Sequence, residues 1–256
     1  MPSDGLVQSI SRSLDMIEYI CQSPEGLGVT QVASELGLAK TTAHRILRAL
    51  VQRGYVYQDP TTGVYGPGTK ILKLAGELRG ALIPHHKVGP FVRDLKQKTG
   101  EHAFFATIAF DRQCIVVCNE ATATDNDVLV GSRLGKRFPL NGDEARVAYV
   151  AQLSEYQREA VLRSLSETLT QRELAEFEAA LKKSLKPYYI TDETMGNGIT
   201  SIACVVKDHT DYAVGIVGVL LPTYRVTEKS GRELGELTRN TADRIAIALG
   251  RPEPKV

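Results

Sequence analysis

The segment from Thr30 to Gly54 constrains the fold of this chain more than any other stretch, because two helical patterns stand on either side of a glycine. Thr30 is the predicted N-cap of a short first helix that reaches Leu36. Gly37 then stands where a helix stop needs a left-handed residue. A second helix is predicted from Lys40 to Arg53. Two short helices joined by a glycine turn are typical of a helix-turn-helix.

The second of these helices has two chemically distinct faces when it is wound at about 3.6 residues per turn. Its apolar face carries Ala43, Ile46, Leu47 and Leu50, and its opposite face carries Thr41, His44, Arg45, Arg48 and Gln52. Residues 1–70 contain six cations and six acids, yet Lys40 to Arg53 contains four cations and no acid. The positive charge is therefore focused on one helix. Such a helix fits the major groove of DNA, which is about 12 Å wide.

A predicted β-hairpin comes directly after this helix. Its strands are Tyr55–Gln58 and Val64–Tyr65, and the turn between them contains proline and glycine. The order helix, turn, helix, hairpin predicts a winged helix-turn-helix that binds double-stranded operator DNA. We expect residues on the polar helix face to read bases, while Lys40, Arg12 and the wing bind phosphates. The predicted DNA-binding residues are Arg12, Thr30, Lys40, Thr41, Thr42, His44, Arg45, Arg48, Tyr57, Thr61 and Thr62.

The rest of the chain predicts a linker helix and a second domain of α+β class. Strands are predicted at 102–110, 113–119, 127–131, 137–140, 200–207 and 214–221, and helices at 88–98, 144–152, 154–165, 170–185 and 228–249. The predicted domains are residues 1–67 for the winged helix-turn-helix, 68–83 for the linker helix and 84–252 for the second domain.

Composition and motifs exclude several classes of protein. The 256 residues are 43% apolar, and no segment is long and apolar enough to span a membrane. The start MPSDGLVQS lacks the features of a signal peptide, which predicts a cytoplasmic location. The chain has no P-loop, GxSxG, HExxH or dinucleotide fingerprint, so neither enzyme activity nor a cofactor is predicted. The four cysteines form no CxxC pair and are expected to be buried apolar residues.

Several stretches of the chain resemble the IclR family of bacterial regulators. They are Val7-Gln8-Ser9-Ile10-Ser11-Arg12-Ser13-Leu14, Thr30-Gln31-Val32-Ala33, Leu36-Gly37-Leu38-Ala39-Lys40-Thr41-Thr42-Ala43-His44-Arg45-Ile46-Leu47, Arg53-Gly54-Tyr55-Val56 and Gly66-Pro67-Gly68. The resemblance implies a repressor or activator of metabolic genes with a GAF-like α/β effector-binding domain. It also implies a homodimer or a dimer of dimers, a tetramer, in which the linker helix serves dimerisation through its stripe of Ile71, Leu74 and Leu78.

The same resemblance implies a pocket for a small organic effector, lined by three segments over a sheet. In the first segment Arg146 and Val147 stand where the family has Gly-Lys, and in the third Gly218–Pro222 replaces a Ser-x-Ser-Gly-Pro type. In the second segment Gly198–Ser201 replaces Gly-Leu-Arg-Cys. The predicted effector-binding residues are Val130, Leu140, Asn141, Gly142, Asp192, Ser201, Gly218 and Leu220.

These departures change the expected ligand, because two hydroxyl donors are missing from the third segment. A buried carboxylate needs paired donors, so its binding is expected to weaken. Leu220 and Leu221 favour a more apolar pocket, suited to an aromatic or apolar acid. Arg146 either replaces the lost donors as a stronger clamp or lies on a helix surface, and we favour the surface position.

Two other hypotheses stay open beside the effector-controlled regulator. Cys114 and Cys118, with His102 on a neighbouring predicted strand, allow a metal- or thiol-responsive regulator. The second domain could also bind a protein instead of a small ligand.

Overall fold

The structure is a computed structural model that describes residues 8–23, 25–82, 85–109, 111–123, 130–183, 185–191 and 198–252, without the side chains of 76–82, 85 and 86. The chain divides into two units, residues 1–82 and 83–256. Helices and short antiparallel strands make up both units, and the predicted α+β class is confirmed. Over the described residues, none of the helices has the length and apolarity needed to cross a bilayer.

The first unit is a three-helix arrangement followed by a hairpin and a further helix. Its elements are α1 (Gln8–Cys21), α2 (Val29–Glu35), α3 (Lys40–Gln52), β1 (Val56–Gln58), β2 (Tyr65–Pro67) and α4 (Thr69–Leu82). The periodic apolar residues meet in one core, which contains Met16, Ile20, Val32, Ala43, Leu47, Leu50, Val56 and Tyr65. The core therefore fixes which face of α3 is left to solvent.

Helix α2 is followed by the predicted glycine but does not begin at the predicted cap. Gly37 has a φ of +59°, a left-handed conformation that costs glycine little. Thr30 is wrong as the N-cap of α2, because the helix begins earlier and Gly28 occupies that position in extended conformation. The side chain of Gln31 reaches back and accepts a hydrogen bond from the Gly28 N–H at 2.8 Å.

The second unit is built on a six-stranded antiparallel sheet with the order β5-β4-β3-β8-β7-β6. The strands are β3 (His102–Ile108), β4 (Cys114–Ala121), β5 (Arg137–Pro139), β6 (Tyr189–Thr191), β7 (Ile199–Lys207) and β8 (Ala213–Pro222). The helices are α5 (His85–Thr99), α6 (Glu144–Ala151), α7 (Glu155–Leu165), α8 (Gln171–Ala180) and α9 (Glu228–Ala248), with a 3-10 turn at Thr223–Arg225.

The two faces of this sheet bury two separate apolar clusters. One cluster joins the sheet to α5 and α9 and includes Val92, Leu95, Phe105, Ile202, Val217 and Ile245. The other joins the opposite face to α6, α7 and α8 and includes Phe104, Leu140, Tyr149, Val161, Phe177 and Leu220. Alternate residues of one strand thus belong to different clusters, as the period of two requires.

Three elements of the second unit differ from the sequence-based predictions. Helix α8 ends at Ala180, five residues before the predicted Leu185, and strand β6 was not predicted. The reason is tertiary: Ile190 pairs with Ile202 of β7, so the chain must leave the helix early to reach the sheet edge. The predicted strand at 127–131 lies mostly outside the described residues, and residues 130 and 131 are not in a strand.

Candidate nucleic-acid interface and effector pocket

The exposed face of α3 carries the predicted DNA-contacting side chains. Ala43, Leu47 and Leu50 are buried on the core side of the helix. Lys40, Thr41, His44, Arg45 and Arg48 are exposed, and Thr42 is half-buried. The structure therefore brings the predicted helix residues together on one surface.

The cations of this surface have no acidic partner in the part of the chain that the structure describes. Among the described residues, neither Lys40 nor Arg45 nor Arg48 forms an ion pair, although ion pairs are frequent in the second unit. Because α3 itself contains no acid, its donors are available to an anionic partner. A polyanion such as DNA supplies phosphate and base-edge acceptors at the spacing of a helix face.

The hairpin after α3 has an internally braced turn. Asp59 Oδ1 accepts hydrogen bonds from the main-chain N–H groups of Thr61 and Thr62, both at 2.8 Å. These hydrogen bonds lower the pKa of Asp59 and hold its charge within the turn. Gly63 has a φ of +72° and closes the turn. The side chains of Tyr57, Thr61 and Thr62 are exposed, which leaves them accessible to the sugar-phosphate backbone of a bound DNA.

The two remaining predicted DNA contacts lie outside α3 and the wing. Thr30 is exposed in the first turn of α2, while Arg12 is half-buried one turn into α1.

Four of the predicted effector residues lie together against one face of the sheet in the second unit. Val130, Leu140, Ser201 and Leu220 are buried, and all but Ser201 belong to the same apolar cluster. Ser201 of β7 pairs directly with Leu220 of β8, so their side chains share this face. These four side chains offer apolar surface and a single hydroxyl.

Gly218 is buried beneath an aromatic ring on the same face. A Cβ added there would lie 2.8 Å from Cε1 of Phe104 and 2.7 Å from the carbonyl oxygen of Ile202. Both separations are too short for a side chain. The ring of Phe104 therefore occupies the space that a serine at position 218 needs.

Two of the other three predicted effector residues do not join this set. Asn141 and Gly142 are exposed, and Asn141 lines a separate cavity of about 310 Å³ with Cys114, Arg137 and Leu165. Asp192 lies outside the described residues.

Arg146 is not on the helix surface, and the sequence-based preference for that position is wrong. Only 5% of the residue is exposed. Its Nε donates to Asp143 Oδ2 at 2.8 Å and its Nη1 donates to the Pro139 carbonyl at 2.7 Å. Asp143 is also the N-cap of α6, since Oδ1 accepts the main-chain N–H of Arg146. The guanidinium thus braces the loop before α6, and its ion pair lies within the protein.

His102 is a buried polar residue whose surroundings the sequence did not predict. The residue is 1% exposed, and its Nε2 lies 3.4 Å from Glu120 Oε2. The main chain of Val130 also lies close, yet neither ring nitrogen has a hydrogen-bond partner among the described residues. Burial lowers the pKa of His102, the Glu120 charge and the main chain of Val130 oppose that effect, and the Arg133 charge adds to it.

The cysteines give little support to a metal or thiol sensor. Cys114, Cys118 and Cys204 are buried as expected, whereas Cys21 is exposed because its neighbour Ile20 takes the core position at the end of α1. Burial raises the pKa of Cys114 and raises that of Cys204 to about 12, which disfavours a reactive thiolate. Within the described ranges, no group of three His, Cys, Asp or Glu side chains could hold a metal ion.

Each of the two units matches a family of known proteins. Residues 9–60 match the family model described as the IclR helix-turn-helix domain, and residues 84–247 match the model described as bacterial transcriptional regulator IclR C-terminal. The glycerol operon regulatory protein of Streptomyces coelicolor is 30% identical over 253 residues, which cover 95% of this chain and 97% of that protein. The transcriptional repressor IclR of Escherichia coli K12 is 25% identical over 97% of this chain and 92% of its own length.

A solved structure shows the same fold. The crystal structure of an IclR homologue from Microbacterium hydrocarbonoxydans, complexed with 4-hydroxybenzoate, superposes with a TM-score of 0.71 at 17% identity. The match covers 94% of this chain and 98% of that chain.

Proposed function

Because the chain belongs to the IclR family of bacterial transcriptional regulators, we propose that it acts in the cytoplasm as an effector-controlled regulator of metabolic genes. The relatives are DNA-binding regulators and not enzymes. The first unit binds a specific operator, and the second unit binds a small organic molecule that changes operator affinity. A free energy of about 1–3 kcal/mol is typical of allosteric coupling between two sites.

The exposed face of α3, whose arginines form no ion pair with the residues that the structure describes, carries the DNA-binding proposal. Arg45 and Arg48 lie one turn apart on that face and read base edges in the major groove, assisted by Thr41 and Thr42. His44 lies on the same face. Phosphates are bound by Arg12, Thr30, Lys40, Tyr57, Thr61 and Thr62.

We propose that the protein binds DNA as a homodimer or a dimer of dimers. Large apolar side chains remain exposed on two helices of the first unit: Ile10 and Leu14 on α1, and Leu72 and Leu74 on α4. Leu72 is 75% exposed, which a second copy of the chain would relieve. A two-fold dimer then meets a near-palindromic operator.

The effector is an organic acid with an apolar or aromatic body. Val130, Leu140 and Leu220 supply apolar surface, Ser201 supplies one hydroxyl, and Gly218 leaves its space to the Phe104 ring. The 4-hydroxybenzoate bound by the Microbacterium relative supports this class of ligand. Asn141, Gly142 and Asp192 are further contacts in this proposal.

The experiment that tests the DNA-binding proposal starts from the full-length protein. An operator is selected from a random double-stranded library, and its affinity is measured by fluorescence anisotropy. We expect the variant Arg45→Ala/Arg48→Ala to lose specific binding, whereas Arg172→Ala, an exposed arginine of the second unit, keeps it. Equal affinity of the double variant and the control would remove α3 as the recognition helix.

The effector proposal has a separate test. Thermal shift of the full-length protein against aliphatic and aromatic acids detects binding, because a ligand of the folded state raises its melting temperature. The compound that binds is then added to the operator complex, and its affinity is measured again. No shift from either class, in protein that still binds its operator, would contradict effector control by an organic acid.

A further inference from the structure

Three side chains form a row across neighbouring strands on the proposed effector-binding face of the sheet. His102 of β3 pairs with Leu220 of β8, and Leu220 pairs with Ser201 of β7. Directly opposed residues of antiparallel strands project to the same face. His102 therefore lies on the side of the sheet where Phe104 and Leu220 bury their side chains.

The imidazole in this row is buried without completed hydrogen bonds. It is 1% exposed, and both nitrogens lack a partner among the described residues. A buried polar group left unpaired destabilises the folded state, so such groups normally have a partner. The apolar neighbours Phe104 and Leu220 offer none, and the nearest acceptors are the Glu120 carboxylate and the main chain of Val130.

Glu120 lies beside the imidazole and binds the loop that carries Ser132 and Arg133. Its Oε1 accepts from Ser132 Oγ at 2.5 Å and its Oε2 accepts from the Arg133 N–H at 2.8 Å. Oε2 also lies 3.4 Å from His102 Nε2, which favours the tautomer that carries its proton on Nε2. In that tautomer Nδ1 is a hydrogen-bond acceptor.

We propose that Nδ1 of His102 accepts a hydrogen bond from a hydroxyl group of the effector, so that the site selects hydroxylated organic molecules. This inference rests on the proposed function, since it names the ligand class of the same pocket. It adds His102 as a specificity-determining residue, which the sequence analysis weighed only as a partner for cysteines.

The charges around His102 favour a hydroxyl over an anion at this point. Burial favours the neutral imidazole. Glu120 brings a negative charge next to the ring and Arg133 a positive one, so an anionic group gains no net charge partner here. A hydroxyl needs only an acceptor, and a site built around one discriminates strongly against an analogue that lacks the donor.

The test uses ligands that differ only at the hydroxyl, titrated into the full-length protein by calorimetry. The pairs are 4-hydroxybenzoate with benzoate and 3-hydroxybutyrate with butyrate, and 4-methoxybenzoate keeps the oxygen without the donor hydrogen. We expect the hydroxylated member of a pair to bind roughly tenfold more tightly, which corresponds to about 1.4 kcal/mol. 4-Methoxybenzoate should bind no better than benzoate.

Two variants and a control assign the preference to His102. His102→Asn keeps an acceptor oxygen near the position of Nδ1 and should keep the preference, whereas His102→Phe keeps a ring without nitrogen and should lose it. His209→Phe, an exposed histidine, is the control. Calorimetric unfolding of each variant reports whether its second unit is folded, and the comparison within the wild-type protein stands without any variant.

The outcomes separate this inference from the function on which it rests. Equal affinities within each pair, a preference that survives in His102→Phe, or no binding by any compound in protein that binds its operator would each overturn the hydroxyl assignment. In the first two cases the effector function stands. Loss of operator binding by the wild-type protein would instead count against the proposed function.

Discussion

Asp143 holds Arg146 through both oxygens of its carboxylate. Oδ1 accepts the main-chain N–H of Arg146 at 2.9 Å, and Oδ2 accepts its Nε at 2.8 Å. The same guanidinium donates to the Pro139 carbonyl and lies 5.9 Å from the centroid of the Phe138 ring. The Arg146 side chain, in the first turn of α6, thus binds both ends of the loop between β5 and α6, at Pro139 and at Asp143.

Replacing Arg146 with alanine should destabilise the second unit. The pair is buried, with side-chain exposures of 6% and 8%, so the change leaves an uncompensated carboxylate, at a cost of about 3–5 kcal/mol. Calorimetric unfolding of Arg146→Ala should show a clearly lowered melting temperature. The matched control is Arg172→Ala, whose side chain is 89% exposed and which should change little. Equal melting temperatures for both variants would show that the clamp contributes nothing to stability.

Gly218→Ser, which restores a family-like hydroxyl, should destabilise the protein instead of improving ligand binding. The new side chain meets the Phe104 ring and the Ile202 carbonyl, both within 3 Å. Overpacking of this kind costs about 1–3 kcal/mol. Gly131→Ser is the control, because a Cβ at that exposed position has no atom within 4 Å. If urea unfolding shows the two variants to be equally stable, the space above Gly218 is open.

The helix-turn-helix could be predicted from sequence because its signals are local. The apolar residues of α3 and the left-handed Gly37 lie within one short stretch, and they decide which side chains are exposed. Arg146 could not be placed in this way, since its burial depends on a carbonyl and a ring before the helix. The partners of His102 depend on how β3 registers with β4 and β8, which no local pattern encodes.

Arg45 and Arg48 should each contribute base specificity when replaced singly by alanine. An arginine that bridges two acceptors of a guanine contributes about 1–3 kcal/mol of discrimination. Anisotropy measurements with a set of single-base operator variants would show the loss of discrimination at one position for each arginine. A loss of the same size on every sequence would assign that residue to a phosphate.

Lys40→Ala should weaken binding to all sequences and make it less dependent on salt. Lys40 is exposed at the first position of α3, where a phosphate contact releases counterions on binding. The slope of log K against log salt should fall in magnitude by about 1. A slope equal to that of the wild-type protein, measured on one operator over a salt series, would mean that Lys40 neutralises no phosphate.

The stability of the second unit should fall as the pH drops below about 6.5, the ordinary pKa of histidine. Burial lowers the pKa of His102 in the folded state, so the unfolded chain binds more protons in that range and unfolding becomes easier. The contribution is fully present above about pH 6.5 and is lost as the pH falls toward the folded pKa. Glu120 and the main chain of Val130 oppose this effect, and Arg133 reinforces it.

His102→Asn isolates this contribution, because asparagine does not titrate. Melting temperatures of the wild-type protein and of His102→Asn, measured between pH 7.5 and 5, should diverge toward low pH, with the wild type losing more. Glu101 also titrates in the folded protein, where burial raises its pKa, and its effect on stability has the opposite sign. Because Glu101 is present in both proteins, it cancels in the difference. Parallel curves would show that the imidazole is no more difficult to protonate in the folded protein than in the unfolded chain.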